Sequence, residues 1–155
     1  MAETPDNAGV RIPPPLLYAF ALVGGYMLNR LYPLPVGNTR LLTVLAWALA
    51  VAWAALTVSS VGNFWRSRTS IVPVRPATAL VIAGPYRFTR NPMYVGFTLL
   101  TAGIALFMNT WWPILLLAPV LLIVRWFVIA PEERYLRRRF GVDYESYMGR
   151  VRRWV

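Results

Sequence analysis

Residues 41–64 read LLTVLAWALAVAWAALTVSSVGNF, and no charged side chain interrupts them. A helix rises about 1.5 Å per residue, so this run is long enough to cross the roughly 30 Å hydrocarbon core of a bilayer. Working outward, residues 15–31 precede it as a second apolar run, and residues 92–108 and 111–130 follow as a third and a fourth. The chain as a whole carries the same signal. Of its 155 residues 57% are hydrophobic and 14% charged, with a mean hydropathy of +0.49. A soluble domain of this size cannot hide that much apolar surface, so the solvent is lipid. The expected fold is all-α: an integral membrane helical bundle with about four transmembrane helices. That length leaves no room for a separate soluble nucleotide-binding domain.

The connections differ in character. Residues 1–12 form a polar tail without a short apolar core and small-residue cleavage site, which argues against a signal peptide. Residues 65–91 interleave Arg66, Arg68, Arg75, Arg87 and Arg90 with Pro73, Pro76, Gly84 and Pro85, the composition of a structured loop. The Asn109-Thr110 break is short and implies an antiparallel hairpin. Pro131 opens a polar tail over residues 131–155, where Tyr144, Tyr147, Met148 and Val151 form the apolar stripe of an amphipathic helix. Gly141 suits a helix stop and Asp143 a new N-cap, so two short helices against the membrane face are expected. The division is therefore a tail (1–12), a membrane region (13–130) containing the loop 65–91, and a helical tail (131–155).

All sixteen basic residues are arginine, against six acids, giving a net charge of +10. Five arginines lie in the loop 65–91 and seven beyond Pro131, whereas the first connection holds Arg30 and Arg40 and the third none. The positive-inside rule places both arginine-rich segments, and with four spans the N-terminus, in the cytoplasm. Membrane lipids, and not nucleic acid, are the partner this charge suits. Cysteine and histidine are absent, which removes disulfides, thiolate nucleophiles, imidazole bases and the usual metal sites.

The segment Gly84-Pro85-Tyr86-Arg87-Phe88-Thr89-Arg90-Asn91-Pro92-Met93-Tyr94-Val95-Gly96 precedes the hairpin. Glu132-Glu133, Phe140-Gly141, Tyr144 and Tyr147 follow it. These two coupled motifs resemble the isoprenylcysteine carboxyl methyltransferase and phospholipid methyltransferase group over residues 78–154. The resemblance implies S-adenosylmethionine as methyl donor, with S-adenosylhomocysteine as product. It implies cofactor contacts from Thr78, Ala79, Leu80, Val81, Tyr86, Asn91, Pro92, Met93, Tyr94, Glu132 and Glu133. Eukaryotic carboxyl methyltransferases of this group carry His where Asn91 stands, so the acceptor's identity does not carry over.

The residues themselves support a division of roles. Asn91-Pro92 is a strong helix start, with Asn as N-cap and Pro at the first helical position, and the free N–H groups of such an end attract a carboxylate. Glu132 and Glu133 fall on the first turn after Pro131, where acids oppose the macrodipole. Glu133 has Arg137 four residues on, in the favourable order for an exposed pair, while Glu132 meets only Tyr135 and Leu136 at helical spacing. Glu132 is therefore the candidate for the cofactor's ammonium or ribose hydroxyls. Tyr86 and Tyr94 either stack on the cofactor or belong to the interfacial aromatic belt. Arg125 either snorkels to the surface or faces a cavity and holds an anionic substrate group.

Methyl transfer from a sulfonium needs in-line placement and exclusion of water more than acid–base groups. Arg90 or Arg125 would orient a carboxylate acceptor, and Glu132 or a tyrosine would take a proton from an amine. A lipophilic acceptor enters from the bilayer while the cofactor enters from the cytosol. Two rivals are a sterol-reductase-like oxidoreductase using NADPH, whose members have more spans, and a membrane scaffold without activity.

Overall fold

The computed structural model describes residues 13–69 and 77–154. The expectations for residues 1–12, and for Pro73, Arg75 and Pro76, lie outside the described residues. The helices in chain order are α1 (Pro14–Leu31), α2 (Arg40–Arg66), α3 (Pro92–Phe107), α4 (Trp112–Ile123) and α5 (Ala130–Arg150), and no strand occurs among the described residues. A 3-10 turn, Gly84–Arg87, stands before α3.

The apolar run 41–64 forms α2, which starts where the Thr39 hydroxyl accepts a hydrogen bond from the Leu42 N–H at 3.3 Å. Only Ala46 and Ser60 of this helix are buried, while Leu41, Trp47, Val51 and Val58 are more than 60% exposed. α2 and the continuous helix from Trp112 are long and apolar enough to cross a membrane, and α3 is a shorter apolar helix. Water would not tolerate so much bare apolar surface, whereas lipid does. With the four helical segments α1 to α4 lying where four spans are expected, the chain is a membrane protein.

Packing is by close approach at small residues, as expected where lipid supplies no hydrophobic drive between helices. α2 lies along α3, and α1 along α4, with α3 also touching α1 and α4. A side chain at Gly103 of α3 would come within 3.1 Å of the Ala46 carbonyl of α2. One at Gly25 of α1 would come within 2.6 Å of the Pro113 ring of α4.

The largest departure from expectation is at Pro131. It does not open a separate helix, because Ile129 and Ala130 keep right-handed helical angles and α4 runs into α5 through a wide π turn over Val124–Ile129. Proline has no N–H for the carbonyl four residues back, and its ring crowds that carbonyl. A widened turn immediately before Pro131 relieves both. Glu132 and Glu133 consequently sit in mid-helix and meet no free N-terminus, so the macrodipole argument for them does not hold. The π turn buries Val124, Val128 and Ile129 and leaves Arg125, Trp126 and Phe127 on the outside. Beyond Ala130 the helix turns polar, and at Gly141 it kinks through φ 52°, ψ −124°, dividing α5 into the two segments expected.

Candidate active site

Four segments meet at the end of the bundle where the arginine-rich loop joins α3: the start of α1, the loop 77–91, the start of α3, and α5 with residues 151–154. The central contact is between Tyr94 and Glu132, which are 38 positions apart in the chain. The Tyr94 hydroxyl donates to Glu132 Oε1 at 2.8 Å. The hairpin of α3 and α4 returns the chain to its starting level, so the first turn of α3 faces the residues just after the π turn. Tyr18 of α1 donates to the Tyr94 carbonyl at 3.2 Å, and Thr98 donates to the same carbonyl at 2.9 Å.

Glu132 is partly buried, with its carboxyl group against the Tyr94 phenol. Burial pushes its pKa up to about 7; the hydrogen bond from Tyr94 works against this, and the neighbouring Glu133 charge reinforces it. Burial also raises the phenols of Tyr86, Tyr144 and Tyr147, so near neutral pH these rings keep their protons.

Glu133 has different surroundings. Its expected partner Arg137 is not the one it takes: Arg153 binds both carboxylate oxygens, through Nε at 3.0 Å and Nη2 at 2.6 Å, and Arg90 adds a contact at 3.2 Å. Mid-helix placement turns Glu133 inward, so it reaches residues 151–154 and the loop instead of the exposed neighbour on its own helix. Arg90 is itself largely buried, and its Nε and Nη1 have no hydrogen-bond partner. A buried guanidinium with two idle donors is costly unless an anion completes it.

Asn91 also departs from expectation. It stands at the N-cap position with Pro92 next, but its side chain makes no cap hydrogen bond. Its Nδ2 instead donates to the Arg153 carbonyl at 2.8 Å, because residues 151–154 lie across the start of the helix. Thr89 Oγ1 donates to the same carbonyl at 3.3 Å, and the Arg90 N–H to the Arg152 carbonyl at 3.0 Å. The Tyr147 hydroxyl closes the other side on the Tyr86 carbonyl at 2.7 Å.

The remaining candidates are distributed around this centre. Tyr86 is buried with its ring edge-on to Phe64 of α2, 5.7 Å between centroids. Pro92 is buried and Met93 partly so. Thr78 and Ala79 are tied by their N–H groups to Thr69 Oγ1, while Leu80 is partly and Val81 fully buried; the preceding Ala77 N–H donates to the Tyr135 hydroxyl at 2.9 Å. Arg125 is set apart. It lines a cleft of about 310 Å³ between α3 and the α4 end, with Val95, Thr98 and Leu99 on one wall, Leu121 and Leu122 on the other, and Trp154. Its guanidinium lies 5.2 Å from the centroid of the Trp126 ring.

The pattern of the phospholipid methyltransferase family matches residues 39–143. The chain belongs to that family. It is accordingly a membrane methyltransferase, and the match takes in α2, the loop, the hairpin and both acidic residues. No curated protein and no solved structure matches the chain. Tyr18, Arg153 and Trp154 were not among the sequence-derived candidates. A hydroxyl near the edge of an apolar run marks Tyr18 in retrospect, whereas nothing in the order of residues 150–154 singles out one arginine from its neighbours.

Proposed function

We propose that the chain transfers a methyl group from S-adenosylmethionine to a lipophilic acceptor that enters from the bilayer, at a site formed by Arg90, Tyr94, Glu132 and the surrounding loop. The observation that carries this reading is the pairing of opposite needs at one end of the bundle. Arg90 has two buried donors without an acceptor, and Glu132 is a partly buried carboxyl facing a phenol and near another carboxylate. An amino-acid moiety, with its carboxylate and ammonium, satisfies both. Loop residues 78–81 and the Tyr86 ring are the proposed seat of the nucleoside.

When bound, S-adenosylmethionine supplies a methyl group on a cationic sulfur and leaves as the neutral thioether, S-adenosylhomocysteine. The protein's part is placement and shielding. Tyr94 holds Glu132 in position, Glu132 neutralises the ammonium, and Arg90 the carboxylate. The cleft beside Arg125 is the proposed approach of the acceptor, whose nucleophilic atom forms the new bond to carbon as the sulfur–carbon bond breaks. An amine acceptor also releases a proton, which a carboxylate titrating near neutrality can accept.

In topology we infer four crossings, with the site, the loop 65–91 and residues 131–155 on the cytoplasmic side as one cofactor-binding unit. Titration of the detergent-purified chain with S-adenosylhomocysteine, beside NADPH, tests the reading. Saturable binding of the first and none of the second is expected, and the reverse would favour an oxidoreductase.

A further inference from the structure

Residues 151–154 are fixed to an unusual degree for a stretch without regular structure. The Val151 N–H closes on the Tyr147 carbonyl at 3.0 Å, and the Arg152 and Arg153 carbonyls receive three donors from Thr89, Arg90 and Asn91. The Arg153 guanidinium grips both oxygens of Glu133. Loops held by one or two bonds fray. This one is held at each of residues 151, 152 and 153, and it lies beyond the 39–143 stretch that the family pattern covers.

The pinning delivers Trp154. Its ring is partly buried against the core that includes Val124, Val128 and Tyr135, and with Arg125 it lines the cleft between α3 and the α4 end. The other walls of that cleft are aliphatic but for Thr98, so it offers an apolar channel, one cation and one bulky ring. Trp154 directly follows the residue bound to Glu133, and Glu133 is next to Glu132. The cleft and the proposed methyl-donor site are joined through Thr98, which lines the cleft and donates to the carbonyl of Tyr94, the partner of Glu132.

We propose that Trp154 is a specificity-determining residue, held by Arg153 as its positioning residue, which admits to the cleft a single lipid chain with a compact anionic headgroup and excludes bulkier ones. The inference rests on the acceptor route proposed above. The apolar walls suit the chain, Arg125 suits the charge, and a bulky ring packed against the core limits headgroup size. The size limit follows from the pinning: a tryptophan on an untethered segment would yield to a larger group, whereas this one follows directly on residues 151–153, which are held by backbone bonds and an ion pair, and packs against the core.

The test uses the full chain in nanodiscs and two photoreactive probes with the same diazirine-bearing acyl chain, one a free fatty acid and the other a lysophosphatidylglycerol. Crosslinked peptides are mapped by mass spectrometry. In the wild type the fatty acid should label the α3 and α4 cleft peptides at least fivefold more than the lysophospholipid. Trp154→Ala should bring the lysophospholipid up to the level of the fatty acid, Arg153→Gln should do the same, and Trp154→Phe should keep the wild-type ratio. Equal labelling by both probes in the wild type, an unchanged ratio in Trp154→Ala, or no labelling of the cleft by either probe would overturn the proposal. Affinity for S-adenosylhomocysteine is measured on the same samples. Its absence in the wild type with the labelling pattern intact would remove the methyl-donor reading and leave the size limit standing. Should Arg153→Gln fail to fold, Trp154→Ala and Trp154→Phe decide the matter alone.

Discussion

Glu132 and Glu133 are chemically identical neighbours that their surroundings separate. Glu133 is buried between two guanidinium groups, and removing one partner of such a cluster typically costs about 3–5 kcal/mol because the other charges are left buried. Glu132 has a phenol for a partner, and a charge-assisted bond to a ligand is worth about 1.5–3 kcal/mol. Glu133→Gln should therefore lower the thermal unfolding temperature markedly, whereas Glu132→Gln should leave it near that of the wild type and weaken S-adenosylhomocysteine binding by roughly ten- to hundredfold. Unfolding scans and calorimetry on both variants check the split, and equal losses of affinity in two well-folded variants would argue against it. The pH dependence follows from the same carboxyl. A bound ammonium favours the carboxylate, so affinity should rise with pH up to about 7 and level off above it, and Glu132→Gln should flatten the profile. Without ligand the linkage has the opposite direction. The folded-state value lies above the ordinary 4.5, so the stability that Glu132 contributes is full below about 4.5 and is lost as pH rises through about 7. That Glu132 has no arginine partner could be read from helical spacing, since none stands in register with it, and the structure gives it the Tyr94 phenol instead. The partner of Glu133 could not, because Arg153 comes to it through the fold, 20 positions away.

The helices themselves were legible because lipid demands long apolar runs, and such runs show without any knowledge of packing in residues 41–64, which carry no charge, and 111–130, which carry Arg125 alone. Which helix lies against which was not. In a bilayer the apolar side chains of one face are nearly interchangeable with those of another, and pairing is decided by a few glycines that let backbones approach. The π turn before Pro131 was hidden for a related reason. Proline in a sequence signals either a helix start or a distorted interior, and only the burial of Val124, Val128 and Ile129 selects the second. Glycine substitutions test the pairing at this scale. Gly25→Ala would press a methyl group onto the rigid Pro113 ring and force α1 from α4, an overpacking cost of about 1–3 kcal/mol. Gly62 of α2 has nothing within 4 Å of its added carbon, and alanine there should stabilise by about 0.5–1 kcal/mol through helix propensity. Thermal stability in one detergent should fall for the first and rise slightly for the second. A fall in both would mean that the exposed face of α2 packs against something in the membrane.

Across the whole molecule the two ends are built from different materials. At one, the connections 32–39 and 108–111 are tied together by the Trp111 N–H on the Leu34 carbonyl at 3.0 Å, the Gly37 N–H on Asn109 Oδ1 at 3.0 Å and the Trp112 indole on the Tyr32 carbonyl at 2.7 Å. At the other lie the loop, α5 and nearly all the arginines, enclosing the acidic pair. A net charge of +10 distributed in this way cannot be indifferent to orientation, since arginines near the ends of apolar segments resist transfer across the membrane. The arginine-rich end should therefore face the cytosol, which is also where a charged methyl donor is available. The absence of native cysteine makes the test direct. Asn38 is exposed at the first end, and Ser67 and Ser146 lie at the second, so single cysteines at these positions report both faces without touching the candidate site. In intact cells an impermeant maleimide should label Asn38→Cys and spare Ser67→Cys and Ser146→Cys, which should react only after permeabilisation. Labelling of Ser67→Cys and Ser146→Cys from outside, with Asn38→Cys protected, would invert the protein and place the site away from its proposed cofactor. A split between Ser67 and Ser146 would break the four-crossing topology itself, because an even number of crossings must lie between them.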